Sequence, residues 1–193
     1  LMLKSKDMFL LDHSINTTVM AILIGYRYRF SKTELSDLAL GTFLHDFGKI
    51  VIDKLREAGS GTAAEELIRE HPTFGYMIIH NSQGSSPIIA QIVNQHHEHQ
   101  DGSGYPIGLI GDNLPPLSTV KREMKGKIFR LAEICAVVNA YDNLLLNPHH
   151  HRPNSPADAI KQLVIDAGTK WNKHVVQTLV SVVPHYPVGA FVK

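Results

Sequence analysis

The sequence predicts an all-α fold of about seven to nine helices, and three observations carry that prediction. Apolar residues recur at three- and four-residue intervals in segment after segment, as at Leu11, Ile15, Val19, Ile22 and Leu23. Segment starts carry capping chemistry, with Ser31 three residues before Glu34 and Thr62 three before Glu65. Strand-length runs of alternating apolar and polar residues are weak throughout.

The first helix is expected over residues 7–28, with His13 in its first half and Gly25 and a basic tail at its end. Ser31 then caps a helix whose inward face is read as Leu35, Leu38, Ala39, Thr42 and Phe43. That helix delivers His45 and Asp46 at its C-terminal end, where Gly48 breaks it. A short helix over 50–58, a Gly59-Ser60-Gly61 turn and a helix from Thr62 to about residue 70 follow. Proline is tolerated in a first helical turn but pushes the residue before it out of helical geometry, so His71 is expected at a helix boundary ahead of Pro72. The helix then continues over 74–80.

Pro87 opens the helix PIIAQIVNQHHEH, with Ile88, Ile89, Ile92 and Val93 as its apolar face and His96 and His97 at its end. Residues 101–117 are rich in glycine and proline and read as a loop. The longest apolar helix is expected over 127–146 and carries Asn139 and Asp142. A polar loop containing HHHRP follows. Ser155-Pro156 starts the next helix, which runs to Gly168, and residues 172–183 form the last one before a short extended tail, HYPVGAFVK.

At 193 residues and 44% hydrophobic content the chain can bury one substantial core, read as a single domain over 1–193. Charged residues make up 19% and the net charge is +1, which excludes broad electrostatic binding to nucleic-acid polymers or membranes. Local basic contacts to a small anion stay open. The single cysteine, Cys135, cannot form an internal disulfide, which points to a reducing, cytoplasmic compartment. Within IFRLAEICAVV it reads as a small buried hydrophobe. The apolar run over 19–25 is too short to span a bilayer, and no signal-peptide pattern precedes it, so no membrane contact is expected for this segment. The chain opens mid-pattern, as a fragment or C-terminal part of a larger protein would.

The chemistry concentrates in His96 to Pro106, HHEHQDGSGYP. Three imidazoles and two acids so close together would desolvate or repel one another in an ordinary core. A bound cation or an anionic substrate makes sense of them. Further candidates are His13, His45-Asp46, His71 and a polar position near Asn139, each at a helix end or on an inward face. A helical bundle can converge such groups. Imidazole with carboxylate suits Fe, Mn, Zn, Co or Ni and disfavours Ca. A carboxylate can bridge two cations about 3.5–4 Å apart, and such a pair can clamp a phosphodiester. Glu98 and Asp101 read as partners orienting imidazoles, with Asp101 alternatively a turn residue before Gly102. His80, His99 and His149 to His151 read as surface residues.

Three motifs in order, HD-x-GK at His45 to Lys49, HP-x-x-G at His71 to Gly75, and HHE-x-x-DG-x-GYP at His96 to Pro106, resemble the HD-GYP family. The resemblance runs from about His13 to the end of the chain. It implies an HD-type helical bundle with two divalent transition metal ions (Fe, Mn, or Zn, Ni, Co) and no organic cofactor. It implies metal-dependent hydrolysis of cyclic di-GMP to linear pGpG, with GMP as a further product left open, in bacterial second-messenger signalling. An upstream sensor or receiver domain and partner signalling proteins are implied too. The family's metal positions fall on His13, His45, Asp46, His71, His96, His97 and Asn139. Asp46 and Lys49 take the catalytic roles, and Lys49, Gly104, Tyr105, Pro106 and Arg152 the substrate-side ones.

Several positions depart from the family pattern. Asn139 replaces its last metal aspartate, while the second aspartate is kept as Asp142. Phe9 stands where some members carry a glutamate for a third metal, so two metals is the ceiling. Glu133 replaces a usual arginine, and residues 118–127 read as an insertion. These departures motivate an alternative reading, a degenerate module that binds nucleotide or a partner protein without turnover. Another cyclic dinucleotide as substrate is a third.

Overall fold

The computed structural model of the chain describes residues 2–57, 64–122, 125–146 and 154–184. Among these residues the fold is all-α: α1 (Met2–Arg27), α2 (Lys32–Phe43), α3 (Lys49–Glu57), α4 (Ala64–Arg69), α5 (His71–His80), α6 (Pro87–Gln95), α7 (Arg130–Leu146), α8 (Pro156–Ile165) and α9 (Lys173–Val182). Extended pairing among the described residues is limited to isolated bridges. The turn at 59–61, the Thr62 cap, the loop with His149 to His151 and Arg152, and the C-terminal tail lie outside the described residues.

Helix α7 is the axle of the bundle. Leu131, Ala132, Ile134, Cys135, Ala136, Val137 and Val138 are all buried, so it is enclosed on every side. Helices α1, α2, α6, α8 and α9 pack against it. The core joins Ala21 and Ile24 of α1, Leu38 of α2 and Ile92 of α6 to Leu163, Val175 and Leu179 of the last two helices. Cys135 is fully buried, and burial pushes its thiol pKa up. A second, smaller cluster of Ile79, Ile89, Ala90 and Val93 joins α5 to α6.

Capping behaves as the sequence predicts where it is described. Ser31 and Glu34 form a reciprocal capping box on α2. Ser155 accepts a backbone N–H bond at the start of α8, and Ser86, which the sequence reading did not name, does the same at the start of α6.

Other expectations need correction. Helix α7 begins at Arg130, because Lys127 and Ile128 are taken up by Ile110: Ile110 N donates to Gly126 O, and Ile128 N donates to Ile110 O. At 17 residues it is also shorter than α1, which has 26. His71 stands at a helix boundary as expected, but as the first residue of α5 rather than outside helical geometry. Pro72 fits there because the first N–H groups of a helix have no intrahelical partner to lose. The helix read from the α1 period is present, and the period leaves its burial open: Leu11, Ile15, Val19 and Leu23 point outward, and the buried face is His13, Ser14, Thr17, Ala21 and Ile24. Phe43 of α2 is exposed as well. Taken as a helix, Met8–Arg27 is long and apolar enough to cross a membrane by length and composition, unlike the short run read from the sequence. It nevertheless carries part of the core and the buried His13.

Candidate metal centre

The site forms where the ends of α2, α5 and α6 meet the sides of α1 and α7. His45 and Asp46 sit in the turn just past the end of α2 rather than on the helix itself. That turn reaches His71 because the motif glycines face each other. A Cβ on Gly48 would stand 2.0 Å from His71 O and 2.7 Å from Gly75 N, so only glycine permits the approach.

Four imidazoles are oriented the same way. The Nδ1 atoms of His45, His71 and His96 each lie 2.6–2.7 Å from a carbonyl three residues earlier, on Thr42, Ile68 and Val93. His13 Nδ1 lies 2.6 Å from Asp142 Oδ2. Carbonyls and carboxylates only accept, so each Nδ1 carries the proton, and in the neutral ring each Nε2 lone pair points inward. His13 Nε2 then stands 3.2 Å from His45 Nε2, and His71 Nε2 stands 3.1 Å from His96 Nε2.

Asp46 lies between these two pairs. Its Oδ1 is 3.2 Å from His71 Nε2 and 3.9 Å from His96 Nε2. Its Oδ2 is 3.6 Å from His45 Nε2 and 3.8 Å from His13 Nε2, and accepts a 2.6 Å bond from Lys49 Nζ. Oδ1 is buried and has no hydrogen-bond partner among the described residues. Lone pairs aimed at lone pairs around an orphaned carboxylate oxygen are unfavourable in a buried site unless a cation lies between them. The donor set therefore fits metal ions. Asp46, His71, His96 and His97 form one group that could hold an ion, and His13, His45 and Asp46 form another.

The electrostatics agree. Burial pushes the Asp46 carboxyl up, but His45, His71 and Lys49 outweigh it and hold the carboxyl well below the usual range. Burial lowers the His45 pKa to about 4, with His13 and Lys49 adding to the effect against the pull of Asp46. Burial, and then their neighbouring imidazoles, hold His96 and His97 well below the ordinary histidine value. Neutral imidazoles are what metal binding requires.

The HHEHQDGSGYP stretch builds the wall beside the second group. Tyr105 stacks on His97 at 4.6 Å between centroids, and its N–H donates to His97 O. Gly104 is needed there, because a Cβ would meet His99 N at 2.3 Å. Pro106 follows through a cis peptide bond. Glu98 does not orient an imidazole as expected. It is buried and accepts the backbone N–H groups of Ile107, Gly108 and Leu109, which pins the loop. Asp101 takes the turn role, accepting from Ser103 N. His80 is exposed and stacks on Tyr76; His99 is partly exposed and bonds Ser103.

Asn139 and His97 line one cleft of about 360 Å³ that extends to Gln162, Lys170 and Trp171. Asn139 Oδ1 accepts a 2.7 Å bond from Asn143 Nδ2. Phe9 is exposed one turn before His13. Glu133 is buried and held by Arg122, from within the 118–127 segment, and by Gln100. That segment thus supplies the countercharge for Glu133. Sequence reasoning passed over the contact of Asp142 with His13, although its place one helical turn after Asn139 was a usable signal.

Residues 2–120 match the model of the HD domain family. A cyclic di-GMP phosphodiesterase of Pseudomonas aeruginosa is 27% identical over an alignment covering 99% of this chain and 43% of that protein. The cyclic di-GMP phosphodiesterase PdeB of Borreliella burgdorferi is 25% identical, over 94% of this chain and 45% of its own length. The chain therefore spans less than half of either relative. Among solved structures, an HDG"Y"P protein of Bdellovibrio bacteriovorus shares the fold, with a TM-score of 0.65 at 21% identity over 90% of this chain and 52% of that one.

Proposed function

We propose, from the premise that this chain belongs to the HD domain family, that it is a metal-dependent phosphodiesterase of the HD-GYP type hydrolysing cyclic di-GMP to pGpG. The observation that carries this reading is the Asp46 carboxylate, whose two oxygens face two separate histidine pairs. Asp46, His71, His96 and His97 would hold one divalent transition metal ion; His13, His45 and Asp46, with Asn139, would hold the other. Fe and Mn suit this nitrogen and oxygen set, as do Zn, Ni and Co. Bound cations supply Lewis-acid polarisation of the phosphodiester and acidify water for attack on it.

The protein's own groups do the rest. The carbonyls and Asp142 fix the imidazole tautomers, so the Nε2 donors need no reorganisation. Lys49, half-buried on Asp46 Oδ2, offsets charge on the substrate phosphate. Gly104, Tyr105 and Pro106, followed by the 107–109 turn that Glu98 pins, stand on the His97 side of the site. The cleft from His97 to Trp171 has room for a base-bearing ligand. Arg152 is assigned to the substrate side from its motif. The reaction belongs to bacterial cytoplasmic signalling, in a protein whose upstream sensor or receiver domain controls it.

One observation favours the alternative of a binding module without turnover: the Asn139 oxygen is already engaged by Asn143. Metal content and cyclic di-GMP cleavage measured on one purified sample separate the readings. Hydrolysis to pGpG with Mn or Fe(II) is expected. Retained binding without hydrolysis under those conditions sinks the enzyme reading, and a panel including 3′3′-cGAMP exposes a different substrate preference.

A further inference from the structure

Arg69, the last residue of α4, holds its guanidinium over the Tyr105 ring, with Cζ 4.6 Å from the centroid. Tyr105 in turn stacks on His97 at an interplanar angle of 15°. A cation is thus parked within two stacking distances of the candidate metal ligand His97. Helix α4 is tied to the same place from the other direction, since Ile68 O holds the His71 ring.

Arg69 is exposed, and among the described residues it makes no ion pair. Of the other cations near the centre, Lys49 is already engaged with Asp46 Oδ2 at 2.6 Å, and Lys170, in the cleft beside His97, with Asp166 Oδ2 at 3.5 Å. A guanidinium held over an aromatic ring by its face keeps its edge N–H donors available, and their fork matches phosphate oxygens. Helix-terminal charge placement alone would explain a basic residue at the end of α4. It does not explain why this one lies against the tyrosine that lines the metal centre.

We propose that Arg69 is a substrate-binding residue that takes the second, non-reacting phosphate of a cyclic dinucleotide. This rests on the phosphodiesterase reading above and deepens it. A cyclic dinucleotide carries two phosphodiesters. With one at the metal centre, the other needs a cation displaced toward the rim, which is where the Tyr105 stack holds Arg69. Arg69 then contributes binding to substrates with two phosphates and nothing to those with one.

The test uses manganese-loaded protein and its Arg69→Gln and Arg69→Lys variants. Three probes are compared: cyclic di-GMP, its slowly cleaved phosphorothioate analogue for direct calorimetric binding, and bis(4-nitrophenyl) phosphate, which has a single phosphodiester. Arg69→Gln is expected to raise KM for cyclic di-GMP and Kd for the analogue by about tenfold or more, as loss of a charge-assisted hydrogen bond does. Its rate on bis(4-nitrophenyl) phosphate is expected to equal that of the parent, and Arg69→Lys is expected to recover part of the affinity. Unchanged KM and Kd in Arg69→Gln overturn the assignment while leaving the phosphodiesterase reading intact. Equal losses on both substrates also overturn it, because Arg69 would then act only by holding the Tyr105 loop. A parent protein that cleaves the nitrophenyl ester but neither binds nor cleaves cyclic di-GMP overturns the cyclic di-GMP reading, and the Arg69 assignment with it.

Discussion

The two histidine groups around Asp46 are built from the same parts but to different completeness. The second group has four donors, Asp46, His71, His96 and His97, all close enough to share one ion. The first has three, His13, His45 and Asp46, and its expected fourth position is an amide turned toward Asn143. The first group also has what the second lacks among the described residues, a buried carboxylate, Asp142, behind one of its imidazoles. The difference teaches that ligand count and ligand orientation are separate resources. The second group is rich in donors, and the first compensates through a stronger hold on His13.

The largest expected effect removes what the groups share. Asp46→Asn should lower metal content at both positions by elemental analysis and cut phosphodiester hydrolysis by about 10³-fold or more. Metal lost from only one position would break the idea of a common carboxylate. Next, His97→Ala should empty the second group while sparing the first, leaving about half the metal and costing roughly 100-fold in rate. Unchanged metal content rejects His97 as a ligand. Asp142→Asn addresses the opposite side. It should weaken the first group's metal affinity by about 10–100-fold and leave the second as it was, and equal weakening of both would mean Asp142 acts through the fold.

Acid reads the same comparison through protons. The His45 pKa is lowered to about 4, against 6.5 ordinarily, so the unfolded chain takes up a proton first as pH falls. This contribution to stability is complete above about pH 6.5, is lost between there and about pH 4, and amounts to something on the order of 3 kcal/mol. His96 and His97 add losses of the same sign. Thermal melts of metal-stripped protein should therefore fall steadily through that window, and a flat profile contradicts neutral burial of these rings. The smallest effect is a gain: Asn139→Asp should raise occupancy of the first group several-fold, since a carboxylate oxygen is the stronger donor. No change in metal content would remove Asn139 from the ligand set.

Much of this arrangement was legible in the sequence, for reasons that can be named. The cap at Ser31 and the starts at Pro87 and Ser155 are local chemistry, and their helices begin where that chemistry dictates. The motif histidines lie at helix ends, so their convergence needed only a bundle. Periodicity identified α1 as a helix but not its buried face, which carries His13, Ser14 and Thr17 while the apolar stripe looks outward. Thr17 satisfies its hydroxyl on the carbonyl of His13 within α1, and His13 finds Asp142 of α7, so that polar face can be buried. Glu98 was misread for a related reason. Its proximity in sequence to two imidazoles suggested one partner, whereas three backbone N–H groups ten residues on claim both its oxygens. The start of α7 and the stacking of Arg69 on Tyr105 depend on segments distant in sequence, and no local pattern encodes them.

The spacing of the ligands along the chain has a consequence for assembly. His71 and His96 are 25 residues apart, and Asp46 precedes both, so the second group is complete once residues 46–97 have become compact. His13 must find Asp142 across 129 residues. Closing the longer loop costs more chain entropy, and during synthesis residue 142 is the last of these groups to leave the ribosome. An ion taken up early would thus meet the second group first, on a nascent chain, while the first group matures only when α1 and α7 dock. Occupancy of that first group would then mark a finished fold.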